Sequence, residues 1–438
     1  MSDRQRPLRI LYSFPHQLGR SGIGTTAWHQ VAGLLEAGQK VTVFCGTIDR
    51  PLPGGVEVIE TMRWASVRIP YRAIGVERAW RVHDWQAARL LRRRAHEFDV
   101  VHTWPSGALA TLRAAKELGV ASFLERANTH TGYAYDVVRR ECERLGLTQV
   151  EGACHTTNPR RLHREEAEFR LADRLLCPSD FVAQTFIERG YPPGQIARHR
   201  YGCDLSRFKP TREEDDKVTR WQGDKATETS PPSPCHLVTP SPCHGAPLTA
   251  AFVGTCEPRK GLHFALKAWL DSPASKDGEF RICGKFVPGY RELLSGMLAH
   301  ASVKEMGFQA DVSKVMATAH VLVLPTLEEG SALVTYEARA AGCVLLVSDA
   351  AGAPAEHMTN ALVHPAGDVA MLTQHLTLLA EDRELLRRLR CKSLEEEATL
   401  SWSFAARELA QRYRECLAAR RAPAVDSHVK APLALAAG

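Results

Sequence analysis

Two glutamates, Glu329 and Glu337, stand eight positions apart (337 − 329) in the stretch Pro325-Thr326-Leu327-Glu328-Glu329-Gly330-Ser331-Ala332-Leu333-Val334-Thr335-Tyr336-Glu337. The apolar run before it, His320 to Leu324, is short and partly β-branched, as a buried strand ending at the proline would be. A helix is predicted to begin near Ser331, a residue type that caps helix N-termini. The amides of Ala332, Leu333 and Val334 would then have no carbonyl four residues back, and with the positive end of the dipole they favour an anion. Glu337 would lie roughly 9 Å along the helix from Ser331 at ~1.5 Å per residue. A carboxylate accepts two hydrogen bonds from vicinal hydroxyls. One end of the helix thus suits a diphosphate and the other a ribose, which together suit a nucleotide sugar. A solvated helix start whose glutamates favour the dipole is the plainer account of the same spacing.

A second chemical group follows its own strand. Leu248 to Gly254 reads as a strand, Thr255-Cys256-Glu257-Pro258-Arg259-Lys260-Gly261 as a turn, and Leu262 to Leu270 as a helix. Two cations at a strand-to-helix turn, Arg259 and Lys260, are placed to neutralise a departing diphosphate. Solvated surface charge is the alternative. Near the start of the chain, Gly22 and Gly24 lie in the loop Gly19-Arg20-Ser21-Gly22-Ile23-Gly24, which lets backbone approach a ligand at the carboxyl end of a sheet. A tight turn explains it equally. The loop lacks the Gly-x-Gly-x-x-Gly spacing and no acidic residue ends the following strand, so a dinucleotide cofactor is disfavoured.

The elements that must position these groups repeat one pattern. Leu8 to Ser13, Thr26 to Gly38 and Lys40 to Cys45 form a strand, a helix and a strand, a βαβ unit. Further strands are predicted at Asp99–His102, Ala121–Glu125 and Asp173–Cys177. After the central stretch come a second apolar strand, Val344–Ser348, and Ala361–His364. With 438 residues the chain exceeds the ~250–300 at which single cores stop growing, so two domains are expected. A hydrophobic content of 44% with 24% charged residues is that of an ordinary globular protein. The net charge of +6 is compatible with anionic ligands without demanding nucleic acid, and no zinc-finger, RNA-recognition or basic-zipper pattern appears. The 12 cysteines are scattered singly, several within apolar runs, and read as buried reduced thiols. Residues 212–247 interrupt the pattern with a charged run and then Ser, Thr and Pro, carrying Ser-Pro-Cys-His at 233–236 and again at 241–244. Disorder is expected there, and zinc binding by Cys235, His236, Cys243 and His244 is disfavoured by the low-complexity setting.

Strand, Pro-Thr, Glu-Gly, seven residues between glutamates, then Glu-Ala, Ala-Gly and a second strand resembles the donor-site signature of family 4 retaining glycosyltransferases. The departure is Glu-Gly-Ser-Ala-Leu where many members have Glu-Gly-Phe-Gly-Leu. The family implies the GT-B fold, an α/β architecture of two Rossmann-like doubly wound domains facing across a cleft. On that resemblance, residues 1–208 are the acceptor domain, 209–248 the insertion, 249–400 the nucleotide-sugar domain, 401–418 a helix crossing back to the first domain and 419–438 a tail. Tyr201 to Phe208 matches the family's linker. Gly254 and Lys260 match its Phe-Val-Gly-Arg…Lys-Gly segment, while Thr255 stands where arginine is common and Arg259 is expected to substitute. The resemblance assigns Glu337 to the ribose and Glu329 to the sugar hydroxyls. Lys260, Arg259, Gly330 and the Ser331–Val334 backbone fall to the diphosphate. His130, after its strand, is the positional match for a histidine facing the sugar, and Gly22 and Gly24 lie at the cleft. No Asp-x-Asp metal motif appears and no metal or other cofactor is expected. The implied activity is retaining transfer of a hexose from a nucleotide-diphosphate sugar to a glycan, lipid-linked or small-molecule acceptor. A nucleotide-sugar epimerase of the same architecture, or a non-catalytic nucleotide-sugar binder, is the alternative.

Arg78 to Arg94 is helical in spacing, with Trp80, Trp85 and leucines read on one side and arginines on the other. Such a helix either covers the sheet or lies on an anionic membrane, each basic residue contributing about 1 kcal/mol. No apolar run reaches ~18 residues, and the first residues lead straight into a strand rather than a signal-peptide core. The expected location is the cytoplasm, with peripheral contact at the inner membrane face through the helix near Trp80 to Arg94.

Overall fold

Two parallel sheets organise the chain in this computed structural model, which describes residues 6–64, 67–149, 155–210 and 246–421. The insertion expected at 209–248 therefore lies almost wholly outside the described residues, as does most of the tail, and so do Cys235, His236, Cys243 and His244. The first sheet comprises β1 (Arg9–Leu18), β2 (Lys40–Ile48), β3 (Glu57–Glu60), β6 (Val100–Thr103), β7 (Ala121–Glu125), β8 (Arg174–Cys177) and β9 (Ile196–Arg198). A short antiparallel hairpin, β4 (Arg63–Trp64) and β5 (Val67–Arg68), stands apart from it. The spatial order is β3-β2-β1-β6-β7-β8-β9, and every pairing is parallel. The second sheet comprises β10 (Thr249–Val253), β11 (Glu279–Cys283), β12 (Val303–Gly307), β13 (Val321–Leu324), β14 (Val344–Ser348) and β15 (Ala361–His364), also all parallel, in the order β12-β11-β10-β13-β14-β15.

Both orders reverse direction once. The reversal falls between β1 and β6 in the first sheet and between β10 and β13 in the second. At such a switch point the connections leave to opposite faces and open a crevice beyond the carboxyl ends of the strands, where ligands of doubly wound sheets bind. The apolar runs that fill the strands are buried on both faces, as parallel sheets covered by helices require: Val321 to Leu324 and Leu345 to Leu346 are all 0% exposed. The architecture is thus the GT-B pair of Rossmann-like domains.

The chain crosses between domains twice. The segment after β9 leads toward the second sheet, and the last helix, Trp402–Arg421, returns to the first. The crossings touch, with the Cys203 amide donating to the Leu400 carbonyl at 2.7 Å. The returning helix packs on the helix Ile23–Glu36 so closely that a Cβ on Gly33 would sit 2.6 Å from that of Ala406. Its Tyr413 hydroxyl reaches His102 Nδ1 at 2.6 Å, within the first domain's interior.

The basic helix spans Val76–Arg94 and buries Ala79, His83, Asp84, Ala87, Ala88 and Leu91 at helical spacing. This corrects the expected partition of its faces. Trp80 is half-buried with its indole edge-on to His16, whereas Trp85 (57% exposed) and Val82 stand outside, with Arg78, Arg81, Arg89, Arg92 and Arg93 also exposed. The small residues, rather than the tryptophans, let the helix approach the sheet. No helix among the described residues is long and apolar enough to cross a membrane. Eight described cysteines are free and buried.

Candidate active site

The switch point of the second sheet brings the two sequence groups together. The turn after β10 and the loop after β13 are fastened by the Leu327 amide and Thr326 hydroxyl, which both donate to the Arg259 carbonyl at 2.8 and 2.9 Å. Gly261 adopts φ +73°, and a Cβ there would come within 2.1 Å of the Pro325 carbonyl oxygen. Only glycine allows the two loops to sit this close. Gly254, with φ +149°, turns the chain out of β10.

Arg259, Lys260 and Glu329 consequently form one cluster. Arg259 Nη1 donates to Glu329 Oε2 at 2.9 Å and to the Glu328 carbonyl at 2.7 Å, while its Nη2 and Nε both donate to Glu257 Oε1 at 2.8 and 3.0 Å. Lys260 Nζ donates to the same Glu329 oxygen. Burial works to raise the Glu329 carboxyl, but Arg259 and Lys260 outweigh it and hold the group below the usual carboxylate range. The glutamate is therefore ionised and fixed in direction. Arg259, expected on the diphosphate, is turned instead into carboxylates, because Glu257, Glu328 and Glu329 surround a side chain only 9% exposed. Lys260 has a single carboxylate partner among the described residues and keeps donors for a ligand.

Glu328 is a member of the site that sequence reasoning passed over. Its carboxylate is fully buried and receives the Thr129 hydroxyl at 2.6 Å from the other domain, with His155 Nε2 at 3.5 Å. Burial opposes its ionisation, yet His155, Arg259 and Thr129 hold the carboxyl down to about 2. Gly330 lies against the same facing loop, where a Cβ would fall 1.6 Å from the Ala127 carbonyl oxygen, and its own carbonyl accepts from Ser179 at 2.6 Å. The Glu-Glu-Gly turn is thus one of the contact points between the domains. The doublet of acids was the available signal, but nothing local says which one points inward.

The helix that follows begins two residues later than expected. It spans Leu333–Ala340 with Ala332 as the preceding residue and no side-chain cap. Ser331 is drawn away because its hydroxyl donates to the Gly352 carbonyl at 2.9 Å and meets the Tyr336 hydroxyl at 3.0 Å. The Ala332 amide donates to the Ala351 carbonyl at 3.2 Å and is not open to a ligand. Leu333 and Val334 occupy the first turn, where helical amides have no carbonyl one turn back. The carboxyl of Glu337, near the middle of the helix, has no hydrogen bond or ion pair with a described residue. Burial pushes its carboxyl up to about 7, against a weaker pull from Arg207.

His130 takes a different place from the one expected. It precedes the helix Thr131–Arg144 and caps it, Nδ1 accepting from the Gly132 amide at 3.1 Å. The ring is 2% exposed as a residue and packs edge-on against Phe169 and Phe186. Burial, with Arg126 adding, pushes it down to about 3, so it is a neutral cap inside the first domain rather than a group facing a sugar. Gly24 allows its loop to close, since a Cβ there would lie 2.4 Å from the Gln17 carbonyl oxygen, while Gly22 adopts φ +83°. No group of three His, Cys, Asp or Glu residues arranged to hold a metal occurs among the described residues.

Two family models match this chain in tandem. "Glycosyltransferase Family 4" matches residues 20–207, and "Glycosyl transferases group 1" matches residues 247–382. No curated protein sequence matches. Among solved structures, sucrose-phosphate synthase from Thermosynechococcus elongatus superposes with a TM-score of 0.62 at 17% identity, over 94% of this chain and 100% of that one. Anabaena HepE in complex with UDP-glucose gives 0.58 at 15% identity, over 94% and 99%. The apo lipopolysaccharide outer core galactosyltransferase WaaB gives 0.60 at 12% identity, over 93% and 99%. At these identities the structures carry the fold, and the tandem family matches carry the membership. The chain belongs to the family 4, group 1 glycosyltransferases of GT-B fold, which transfer a sugar from a nucleotide sugar.

Proposed function

We propose that the chain is a retaining glycosyltransferase that moves a hexose from a nucleotide-diphosphate sugar to a glycan, lipid-linked or small-molecule acceptor. The observation that carries the reading is the Arg259–Glu329–Lys260 cluster at the second sheet's switch point, with the carboxyl of Glu337 left without a partner on the adjoining helix. In this reading Glu337 accepts the ribose hydroxyls and Glu329, held ionised, accepts hydroxyls of the transferred sugar. Lys260 and the first-turn amides of Leu333 and Val334 meet the diphosphate, where charge grows as the glycosidic bond breaks. Arg259 is a positioning residue that fixes Glu329 and Glu328. The reading gives charge neutralisation to protein cations rather than to a metal, and offers no side chain as covalent nucleophile. The acceptor hydroxyl would attack the face from which the diphosphate leaves, its proton passing to a departing phosphate oxygen. UDP-glucose is the ligand named for the HepE structure, and UDP is accordingly the first nucleotide to test here.

Peripheral contact with an anionic membrane through the outer face of Val76–Arg94 belongs to the same reading, supported by the exposed Trp85 and Val82 among arginines. The test of the donor site is a thermal-shift panel of UDP, GDP, ADP and their common sugars. A ligand at about 100 times its Kd adds ~2.7 kcal/mol to the native state. One nucleotide family is expected to raise Tm, with the shift lost in Glu337→Ala, and the anomeric configuration of a product then tests retention. No shift with any nucleotide would sink the reading.

A further inference from the structure

A second cavity between the domains lies away from the donor cluster. It encloses about 470 Å³ beyond the carboxyl ends of β8 and β9 in the first sheet and of β14 in the second, and the returning helix Trp402–Arg421 closes one side. That volume is within the ~300–1,000 Å³ typical of small-molecule sites. Lys260, Glu329 and Glu337 are not among the described residues that line it.

The first-domain wall is basic. Arg198 at the end of β9, Arg200 two positions on and Arg412 on the returning helix all line the cavity. Each is held in place by one side of its fork. Arg198 Nε donates to Asp180 Oδ1 at 2.7 Å and its Nη1 to the Cys177 carbonyl, Arg200 Nε lies 2.8 Å from Glu408 Oε2, and Arg412 Nη1 donates to Glu415 Oε2 at 2.6 Å. The remaining terminal nitrogens, Nη2 of Arg198 and of Arg412 and both of Arg200, make no hydrogen bond with a described residue. By count the lining carboxylates Asp180, Glu408 and Asp349 balance the three cations, but they do not fill these forks. Asp180 is 97% exposed, Glu408 is engaged by Arg200, and Asp349 Oδ1 accepts from the Ala366 amide at 3.0 Å. Burial raises the phenol of Tyr336 on the facing wall, and Ser331, Arg200 and Arg198 pull against it, so both guanidinium charges are felt across the cavity. That facing wall adds Val347, Ala353 and Pro354. Guanidinium forks suit phosphate oxygens, and the apolar wall suits the organic body that carries the phosphate.

The cavity abuts the donor loop from behind. Ser179, which lines it, donates to the Gly330 carbonyl at 2.6 Å, and a Cβ on Gly352 (φ +56°) would fall 2.2 Å from the same oxygen. Tyr336 directly precedes Glu337. An occupant that touches both domains binds best when they are in contact, and linkage then makes donor and occupant strengthen each other. We propose that this cavity binds a small phosphorylated metabolite through Arg198, Arg200 and Arg412, as an effector that tightens donor binding. The site stands on its own geometry, and its coupling to the donor rests on the transferase reading.

The experiment is isothermal titration of the full chain with glucose 6-phosphate, inorganic phosphate and glucose, on wild type, Arg200→Gln, Arg412→Gln, Glu408→Gln and Lys260→Ala. Glucose 6-phosphate is expected to bind wild type and Lys260→Ala alike, and each arginine variant about tenfold more weakly, the scale of one charge-assisted hydrogen bond. Glu408→Gln should bind it more tightly than wild type, because Arg200 is released from its carboxylate. Inorganic phosphate should bind more weakly and glucose not at all. With glucose 6-phosphate saturating, the nucleotide that raises Tm should bind about tenfold more tightly. No binding to wild type, or binding lost in Lys260→Ala and kept in the arginine variants, would overturn the proposal, the second by placing the phosphate in the donor site. Inorganic phosphate or glucose matching the sugar phosphate, or a nucleotide affinity unmoved by it, would overturn it as well. Arginine-dependent binding in a chain that responds to no nucleotide would uphold the site and count against the donor reading alone.

Discussion

Glu337→Gln should make the protein more stable and less able to bind nucleotide, and the gain should depend on pH. In the free protein, burial raises the Glu337 carboxyl from its ordinary 4.5 to about 7. The folded chain therefore holds a proton that the unfolded chain releases, and stability contributed by this group falls as pH rises from about 4.5 to about 7. Each pH unit of displacement is worth ~1.4 kcal/mol, so keeping the carboxylate ionised above pH 7 costs the fold roughly 3 kcal/mol. The neutral amide removes that cost and preserves the shape. At pH 8 the variant should be more stable by roughly 3 kcal/mol, a rise of roughly 6 °C or more for a domain of this size. At pH 5 the advantage should fall below ~1 kcal/mol, because the folded wild type is then protonated. Ribose hydroxyls donate to the charged form, so wild-type nucleotide affinity should weaken as pH drops through about 7, whereas the amide variant should bind weakly throughout. Differential scanning calorimetry at the two pH values, with and without nucleotide, measures all of these. A variant that is no more stable than wild type at pH 8, or that keeps the full nucleotide shift, would refute the argument that this carboxylate is strained to serve a ligand.

Arg259→Met should destabilise the protein by ~3–5 kcal/mol at neutral pH, since it leaves Glu257, Glu328 and Glu329 converging with one cation removed. The loss should shrink on acidification, because Glu328, released from its hold at about 2, would protonate readily. A urea melt series from pH 7 to pH 5 checks this, and a pH-independent loss would mean that packing alone was removed. Sedimentation with phosphatidylserine vesicles at low and physiological salt tests the outer helix. Wild type should pellet, Trp85→Ala should pellet less and salt should weaken both, whereas no pelleting at low salt would exclude the membrane contact.

The βαβ units were legible because they depend on local periodicity, whereas the meeting of the two functional loops came only from the family resemblance. Val321–Leu324 and Val344–Ser348 are apolar on both faces whatever surrounds them, and a proline and a glycine end the first strand and the helix that follows. What escaped was direction. Ser331 is a good cap by residue type, but Tyr336 and Gly352 offer its hydroxyl better partners through folding. His130, expected to face a sugar, caps the helix Thr131–Arg144. Arg259 could have turned either way until Glu257 and Glu328 were in place. Thr129 and Glu328 meet across 199 positions of sequence, a distance over which no spacing rule operates. Trp80 and Trp85, read on one side, stand five positions and so ~140° apart around the helix, and only Trp80 turns inward.

The returning helix Trp402–Arg421 also sets the order in which this protein can be completed. Domains ordinarily fold as they leave the ribosome, N-terminal first. Here the first sheet emerges early, yet Tyr413, Leu409 and Ala410, which close its core, are among the last described residues to be synthesised. Until they arrive, the surface of the helix Ile23–Glu36 around Gly33, which packs on Ala406 and Trp402, has no cover. The first domain must wait, partly open, while the whole donor domain is made. An N-terminal fragment ending near residue 210 should therefore aggregate when expressed alone, and adding residues 402–421 as a separate peptide should rescue it.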